Sequence, residues 1–253
     1  LRSPDLVEVE KIILNNIPCL LVRPKSFKEK LPTLFHYHGW SSKKENHKFF
    51  ATTICQYGYQ VILPDSNYHG DRNPLNEYDV NNLKEYFPKI IIQSVDEFNQ
   101  IRREAEKLYQ VDEKRIAVSG NSMGGFIASS IFGKNQDIKA LICLNGGSSW
   151  KKAMDILKEM GELDEEYNVY TEEMKKFDPL TYKNKFYPRP ILMLHGDSDT
   201  LVPIAIQRYS YEEVYPLYKK EPERIKLEEY KNINHHISIR MVESTVMWLD
   251  KYL

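Results

Sequence analysis

"GNSMGGF", residues 120–126, sets a serine between glycines: Gly120, Ser122 and Gly124 satisfy G-x-S-x-G. The pattern suits a very tight strand-to-helix turn with the serine at its tip, where flanks without side chains let neighbouring backbone come close. Glycine and serine also mark ordinary turns, so the surroundings decide. Just before it, "KRIAVSG" has the small and branched residues of a buried strand, and just after it "MGGFIASSIFG" reads as a helix. "DIKALICLN" then supplies another strand. Strand, helix and strand at this spacing call for a parallel sheet covered by helices on both faces.

The same reading extends outward. "VEVEKIILNNIPCLLVRP" alternates apolar and polar residues, turns at Asn15-Asn16 and predicts an antiparallel hairpin. "PTLFHYH", residues 32–38, is a strand; "HKFFATTICQYG" has helical spacing and stops at Gly58; "YQVILPD" is a short buried strand. Residues 66–95, with Pro74 and Pro88, read as irregular, followed by a helix whose core stripe is Phe98, Ile101, Ala105 and Leu108. "RPILMLHG" (189–196) and "ERIKLEEY" are the last strands, with "AIQRYSYEEVYPLYK" a helix between them. A final helix over 238–252 is expected to bury Ile239, Val242, Val246 and Leu249. The stretch 148–188 is too long for an ordinary crossover and is expected to form a helical cap over the sheet edge. With no internal repeat or linker, residues 1–253 read as one α/β domain, a mostly parallel sheet flanked by helices, carrying that cap.

Composition narrows the function. Lys and Arg number 35 against 36 Asp and Glu, a net charge of −1, which does not steer the chain toward nucleic acid or an anionic membrane. Neither a spanning apolar run nor, in "LRSPDLVEVE", an apolar signal core is seen. Cys19, Cys55 and Cys143, odd in number and without zinc-like spacing, read as buried thiols of a cytoplasmic protein.

Ligands of open parallel sheets collect outside the carboxyl ends of the strands. Four strands end there in "FHYHGW", "GNSMGG", "HGDSDTLVP" and "YKNINHHIS". A neutral serine hydroxyl needs a base to take its proton, and the base needs an acid to orient it. Ser122, an aspartate near 199 and a histidine near 235 supply these parts, in the chain order of one particular fold.

On these motifs the sequence resembles the α/β-hydrolases, and among them the branch of dienelactone hydrolase and the prolyl-oligopeptidase-like esterases, over nearly the whole chain. The family's H-G-x-x-D-x-x-V-P pattern falls on His195, Gly196, Asp199, Val202 and Pro203, so the resemblance implies Asp199 as the acid, with Asp197 its rival. A small residue before the base and a hydrophobic one two positions after it match Asn234, His235 and Ile237, which favours His235 over His236 as the base. Ser238 is a good N-cap for the following helix. The fold offers the Met123 amide as one oxyanion donor. The resemblance implies Trp40, after His38-Gly39, as the other, although relatives often carry a second glycine there.

Trp40, Tyr68, Trp150, Leu157 and His236 are candidate substrate-pocket residues, and Asp65 and Arg72 a candidate ion pair bracing the "PDSNYHGDR" loop. The implied enzyme cleaves a carboxylic ester of a small molecule through an acyl-serine, without metal or organic cofactor. A peptidase of small peptides and an acyl-thioesterase use the same triad. A binding protein on this scaffold is expected to have lost a triad residue, and none is lost. The apolar face of "WKKAMDILKEM" suits a substrate channel or a homodimer contact.

Overall fold

The computed structural model describes residues 6–161 and 171–253. Its eight strands are β1 (Val7–Leu14), β2 (Ile17–Pro24), β3 (Leu31–Tyr37), β4 (Gln60–Pro64), β5 (Val111–Asn121), β6 (Ala140–Leu144), β7 (Ile191–Gly196) and β8 (Ile225–Tyr230). They form one sheet in the order β1-β2-β4-β3-β5-β6-β7-β8. β1 and β2 pair antiparallel, as do β2 and β4, and every later pair is parallel. The hairpin turns at Asn15 and Asn16, both at positive φ (49° and 62°), the geometry a two-residue turn requires.

The helices are α1 (Lys48–Cys55), α2 (Val80–Leu108), α3 (Met123–Lys134), α4 (Trp150–Glu159), α5 (Glu172–Lys175), α6 (Ile204–Val214) and α7 (Ile239–Tyr252). Period-two alternation along the strands feeds two cores. Phe35, Ile116, Val118, Ile191 and Met193 face one side with residues of α2, α3 and α6. Leu34, Ala117, Leu192 and Leu194 face the other with residues of α1 and α7. α3 lies deepest: Met123 to Gly133 are all buried. A helix apolar on every side belongs inside a molecule, and side chains such as Ile127 and Phe132 each contribute roughly 1.5–3 kcal/mol through burial.

The sheet order reverses at β3, which pairs with β4 on one side and β5 on the other. Such a switch point opens a crevice at the strands' carboxyl ends. The turns after β3 and β5 are those that carry Trp40 and Ser122.

Several expectations need correction. α2 begins at Val80, capped by Asp79 whose carboxylate accepts the Asn82 amide at 2.8 Å, and runs through Pro88 instead of starting after an irregular stretch. Burial of Ile90, Ile91, Ser94 and Val95 extends its core stripe toward the amino end. Leu108 and Ile239 are 53% and 70% exposed, because each sits at a helix end where the stripe turns away from the sheet. On α7 the buried face is Met241, Val242, Thr245, Val246, Trp248 and Leu249.

The Asp65 carboxylate pairs with buried Lys44 (2.5 Å), not with Arg72. The Arg72 guanidinium instead forks onto Glu97 of α2 (2.9 and 2.8 Å) and reaches only the backbone carbonyl of Asp65 (3.1 Å). Burial disfavours the Lys44 ammonium, but its hydrogen bonds to Asp65 and Asp71 outweigh that and hold its pKa above the ordinary value.

Candidate active site

Ser122 occupies the turn between β5 and α3 with φ 57° and ψ −121°. Such a backbone costs a non-glycine residue on the order of 1–3 kcal/mol and is kept only where the surroundings enforce it. The enforcing contacts are visible. The Ser122 amide donates to the Leu144 carbonyl (2.9 Å), and the Ser122 carbonyl accepts from the Gly125 amide (2.8 Å). A Cβ on Gly120 would lie 2.0 Å from the Gly124 carbonyl oxygen, and one on Gly124 would lie 2.0 Å from the Tyr37 carbonyl oxygen. The glycines of the motif are therefore places where backbone meets backbone.

The loop after β7 carries Asp199. Asp199 Oδ1 accepts the Leu201 and Val202 amides at 2.9 and 2.8 Å. Its Oδ2 lies 2.7 Å from His235 Nδ1 and 3.2 Å from His195 Nε2. Burial works against the Asp199 charge, but the hydrogen bonds from His195, His235 and the Val202 amide outweigh it and hold the carboxyl well below the usual carboxylate range. The rival Asp197 is exposed and does something else: its carboxylate accepts the Asn232 amide (2.7 Å) and the Ser198 hydroxyl (2.8 Å), tying two loops together.

The loop after β8 carries His235. Asn234 Oδ1 accepts the His235 amide (2.7 Å) and the Thr200 amide (3.0 Å), which clamps the loop of His235 onto the loop of Asp199. With Nδ1 turned to the aspartate, His235 keeps Nε2 for another partner. His236 is exposed, and its backbone rather than its ring is engaged: its carbonyl accepts from Asn145 Nδ2 at 3.1 Å. Ser238 caps α7 by accepting the Met241 amide, as expected.

The turn after β3 presses on Ser122: a Cβ on Gly39 would lie 3.2 Å from the Ser122 Cβ. Trp40 follows it. Met123 opens the first turn of α3, where amides have no acceptor within the helix. The Trp40 ring is held by an Nε1 hydrogen bond to the Tyr78 carbonyl (3.1 Å) and by edge contacts with His69 and Tyr78. Phe87 of α2 lies 6.2 Å from Trp40 and 6.4 Å from Phe126, one helical turn beyond Ser122, so an aromatic wall runs beside the elbow. Tyr68 packs on Tyr86 at 4.7 Å, and its carbonyl accepts the Tyr78 hydroxyl.

Of the cap candidates, Trp150 is only 3% exposed and stacks on Phe177, inside the core, while Leu157 is half-buried on α4 and Met160 is exposed. The acidic part of the proposed cap, residues 162–170, lies outside the described residues. Sequence reading passed over Phe87, Phe126 and Asn145. Phe126 is four residues after the serine and so was open to inference; a lone asparagine at a strand end carries no motif.

Sheet order, strained serine turn and strand-end histidines define an α/β-hydrolase, a serine hydrolase by class. The chain belongs to the prolyl oligopeptidase family, whose pattern matches residues 89–253. YitV of Bacillus subtilis (strain 168), named as an esterase, is 27% identical over 257 residues, spanning 98% of this chain and all of its own. Esterase YjfP of Escherichia coli (strain K12) is 28% identical over 205 residues, 78% of this chain and 81% of its own. TT1662 from Thermus thermophilus superposes with a TM-score of 0.78 at 19% identity, covering 97% of each chain, a likeness of fold. Among the described residues, no helix is long and apolar enough to cross a membrane.

Proposed function

We propose that this hydrolase cleaves carboxylic esters of small molecules, with Ser122 as nucleophile, His235 as base and Asp199 as the acid that orients it. The observation that carries the reading is the 2.7 Å contact between His235 Nδ1 and Asp199 Oδ2, which leaves Nε2 as the proton acceptor. Ser122 Oγ attacks the ester carbonyl as His235 Nε2 takes its proton. Charge then develops on the carbonyl oxygen, and the Trp40 and Met123 amides are the donors assigned to it. The intermediate collapses, His235 returns the proton to the departing alcohol, and an acyl-serine remains. Water, deprotonated by the same histidine, releases the acid and restores Ser122. None of these steps calls on a metal or an organic cofactor.

The family contains peptidases, but the relatives that match over most of their own length carry esterase names. The aromatic wall of Trp40, Phe87 and Phe126 favours an apolar acyl or alcohol group beside the elbow. The test is turnover of acyl esters, acyl-thioesters and peptide amides matched in leaving-group reactivity. Esters with the highest kcat/KM are the expected result; a preference for peptide amides or thioesters overturns it.

A further inference from the structure

Asn145 stands at the end of β6 with φ 45° and a fully buried side chain. Its amide reaches all three loops that carry the proposed triad. Nδ2 donates to Asn121 Oδ1 (3.2 Å), on the residue before the nucleophile. The same nitrogen donates to the carbonyl of His236 (3.1 Å), on the residue after the base. Oδ1 accepts the amide of Gly196 (3.2 Å), where the acid loop leaves β7. The Asn145 backbone amide adds a bond to the Leu194 carbonyl at 2.8 Å.

Beneath it, Gln207 locks the same turn. Its Nε2 donates to the Cys143 carbonyl (3.0 Å), and its Oε1 accepts the Gly146 amide (3.2 Å) and lies 2.7 Å from His195 Nδ1. The turn after β6 is therefore fixed before it meets the others.

We propose that Asn145 is a positioning residue of the active site, holding the peptide after His235 in register with the nucleophile turn and the root of the acid loop; the inference rests on the triad proposed above. Chemistry explains the residue type. Two donors and an acceptor on a short planar group serve all three partners; aspartate keeps only the acceptor, and an aliphatic side chain leaves buried polar groups unpaired. Asparagine also tolerates the left-handed backbone better than most residues. The acid loop already holds His235 from one side through Asn234 and Thr200. Asn145 holds it from the other, so both ends of the short base loop are tied down.

The experiment compares Asn145→Gly, Asn145→Asp, Asn121→Ala, His235→Ala and, as a control, Asn16→Gly. Glycine accepts the positive φ at residues 145 and 16, so each glycine variant removes a side chain without straining the turn. Hydrolysis of p-nitrophenyl butyrate gives kcat and KM per site titrated with a fluorophosphonate, and the rate of serine phosphonylation is measured alongside. Asn145→Gly is expected to lower kcat and the phosphonylation rate by about tenfold to a hundredfold, the scale of a small misplacement, with KM changed less than about twofold. Asn145→Asp is expected to lose more, since it sets a carboxylate oxygen against two acceptors. Asn16→Gly is expected to match the wild type.

Values for Asn145→Gly within about twofold of wild type per titrated site overturn the proposal, because only a local effect on packing is then left. Should that variant fail to fold, Asn121→Ala decides: a kcat lowered about threefold or more at unchanged Tm supports the proposal, and an unchanged kcat overturns it. A fully active His235→Ala removes the triad and this inference together, whereas an inactive His235→Ala beside a fully active Asn145→Gly removes this inference alone.

Discussion

His235 and His236 are neighbours in sequence and opposites in use. One ring meets Asp199 at 2.7 Å; the other is exposed, and the hydrogen bonds of that residue run through its backbone amide and carbonyl. His235→Ala is therefore expected to lower kcat by on the order of 10⁶, the scale seen when a triad histidine is lost, while His236→Ala stays within about threefold of wild type. The two aspartates divide in the same way. Asp199→Asn removes the charge facing His235 and is expected to cost on the order of 10⁴ in kcat with little change in shape. Asp197→Asn keeps an oxygen for the Asn232 amide, so activity is expected to change little. Steady-state kinetics on the four folded variants checks both pairs, and a reversal within either pair contradicts the assignment. These residues were legible because each lies in a short contiguous motif. The Arg72–Glu97 pair was not, since Glu97 is 25 positions away on a helix and only the packing of that helix against the loop brings the two together.

The element that most constrains the site is the β5–α3 elbow. Gly124 is packed against the backbone of β3, so a methyl there cannot be relieved by turning a side chain. Gly124→Ala is expected to cost about 3 kcal/mol or more, read from chemical denaturation, because either α3 or β3 must shift. A variant as stable as wild type contradicts the close approach. Leu157, half-buried on α4, is the element-scale test of the proposed cap. Leu157→Trp is expected to move preference toward shorter acyl chains if α4 borders the substrate, and to weaken self-association if it meets a second copy. Ester-chain selectivity and sedimentation on the same variant separate these uses, and no change in either removes both. Strands were easier to foresee than helix ends, since alternation reports a buried face directly. Leu108 and Ile239 continue their helices' periodic patterns yet point to solvent, because periodicity does not say where the sheet stops.

Across the whole molecule, buried histidines tie stability to pH. His36 Nδ1 lies 2.7 Å from Ser119 Oγ and its Nε2 2.9 Å from His47 Nδ1, a chain of neutral groups beneath the turn after β3. Burial, joined by the neighbouring His47, pushes the His36 pKa well below its ordinary value. Burial also lowers His47 to about 4 and His38 to about 3, the latter beside His69 and Lys44. An unfolded chain takes up these protons near pH 6.5, while the folded chain refuses them until much lower pH. Stability is therefore present above about pH 6.5 and is lost on acidification from there toward pH 4, by up to about 1.4 kcal/mol per pH unit for each proton. Denaturation midpoints across that range check the sign, and a flat or rising stability on acidification contradicts it. Asn145 shows why part of the site was hidden: its side-chain partners come from three loops that meet only once the sheet order is set.

Ser122, at the tip of the elbow, is the proposed nucleophile. The direct measurement is mass spectrometry of the peptide modified by a fluorophosphonate in the folded, active protein. Label on Ser122, absent from Ser122→Ala and suppressed in His235→Ala, is the expected result. Label on a different serine, or an active protein that takes no label at all, contradicts it.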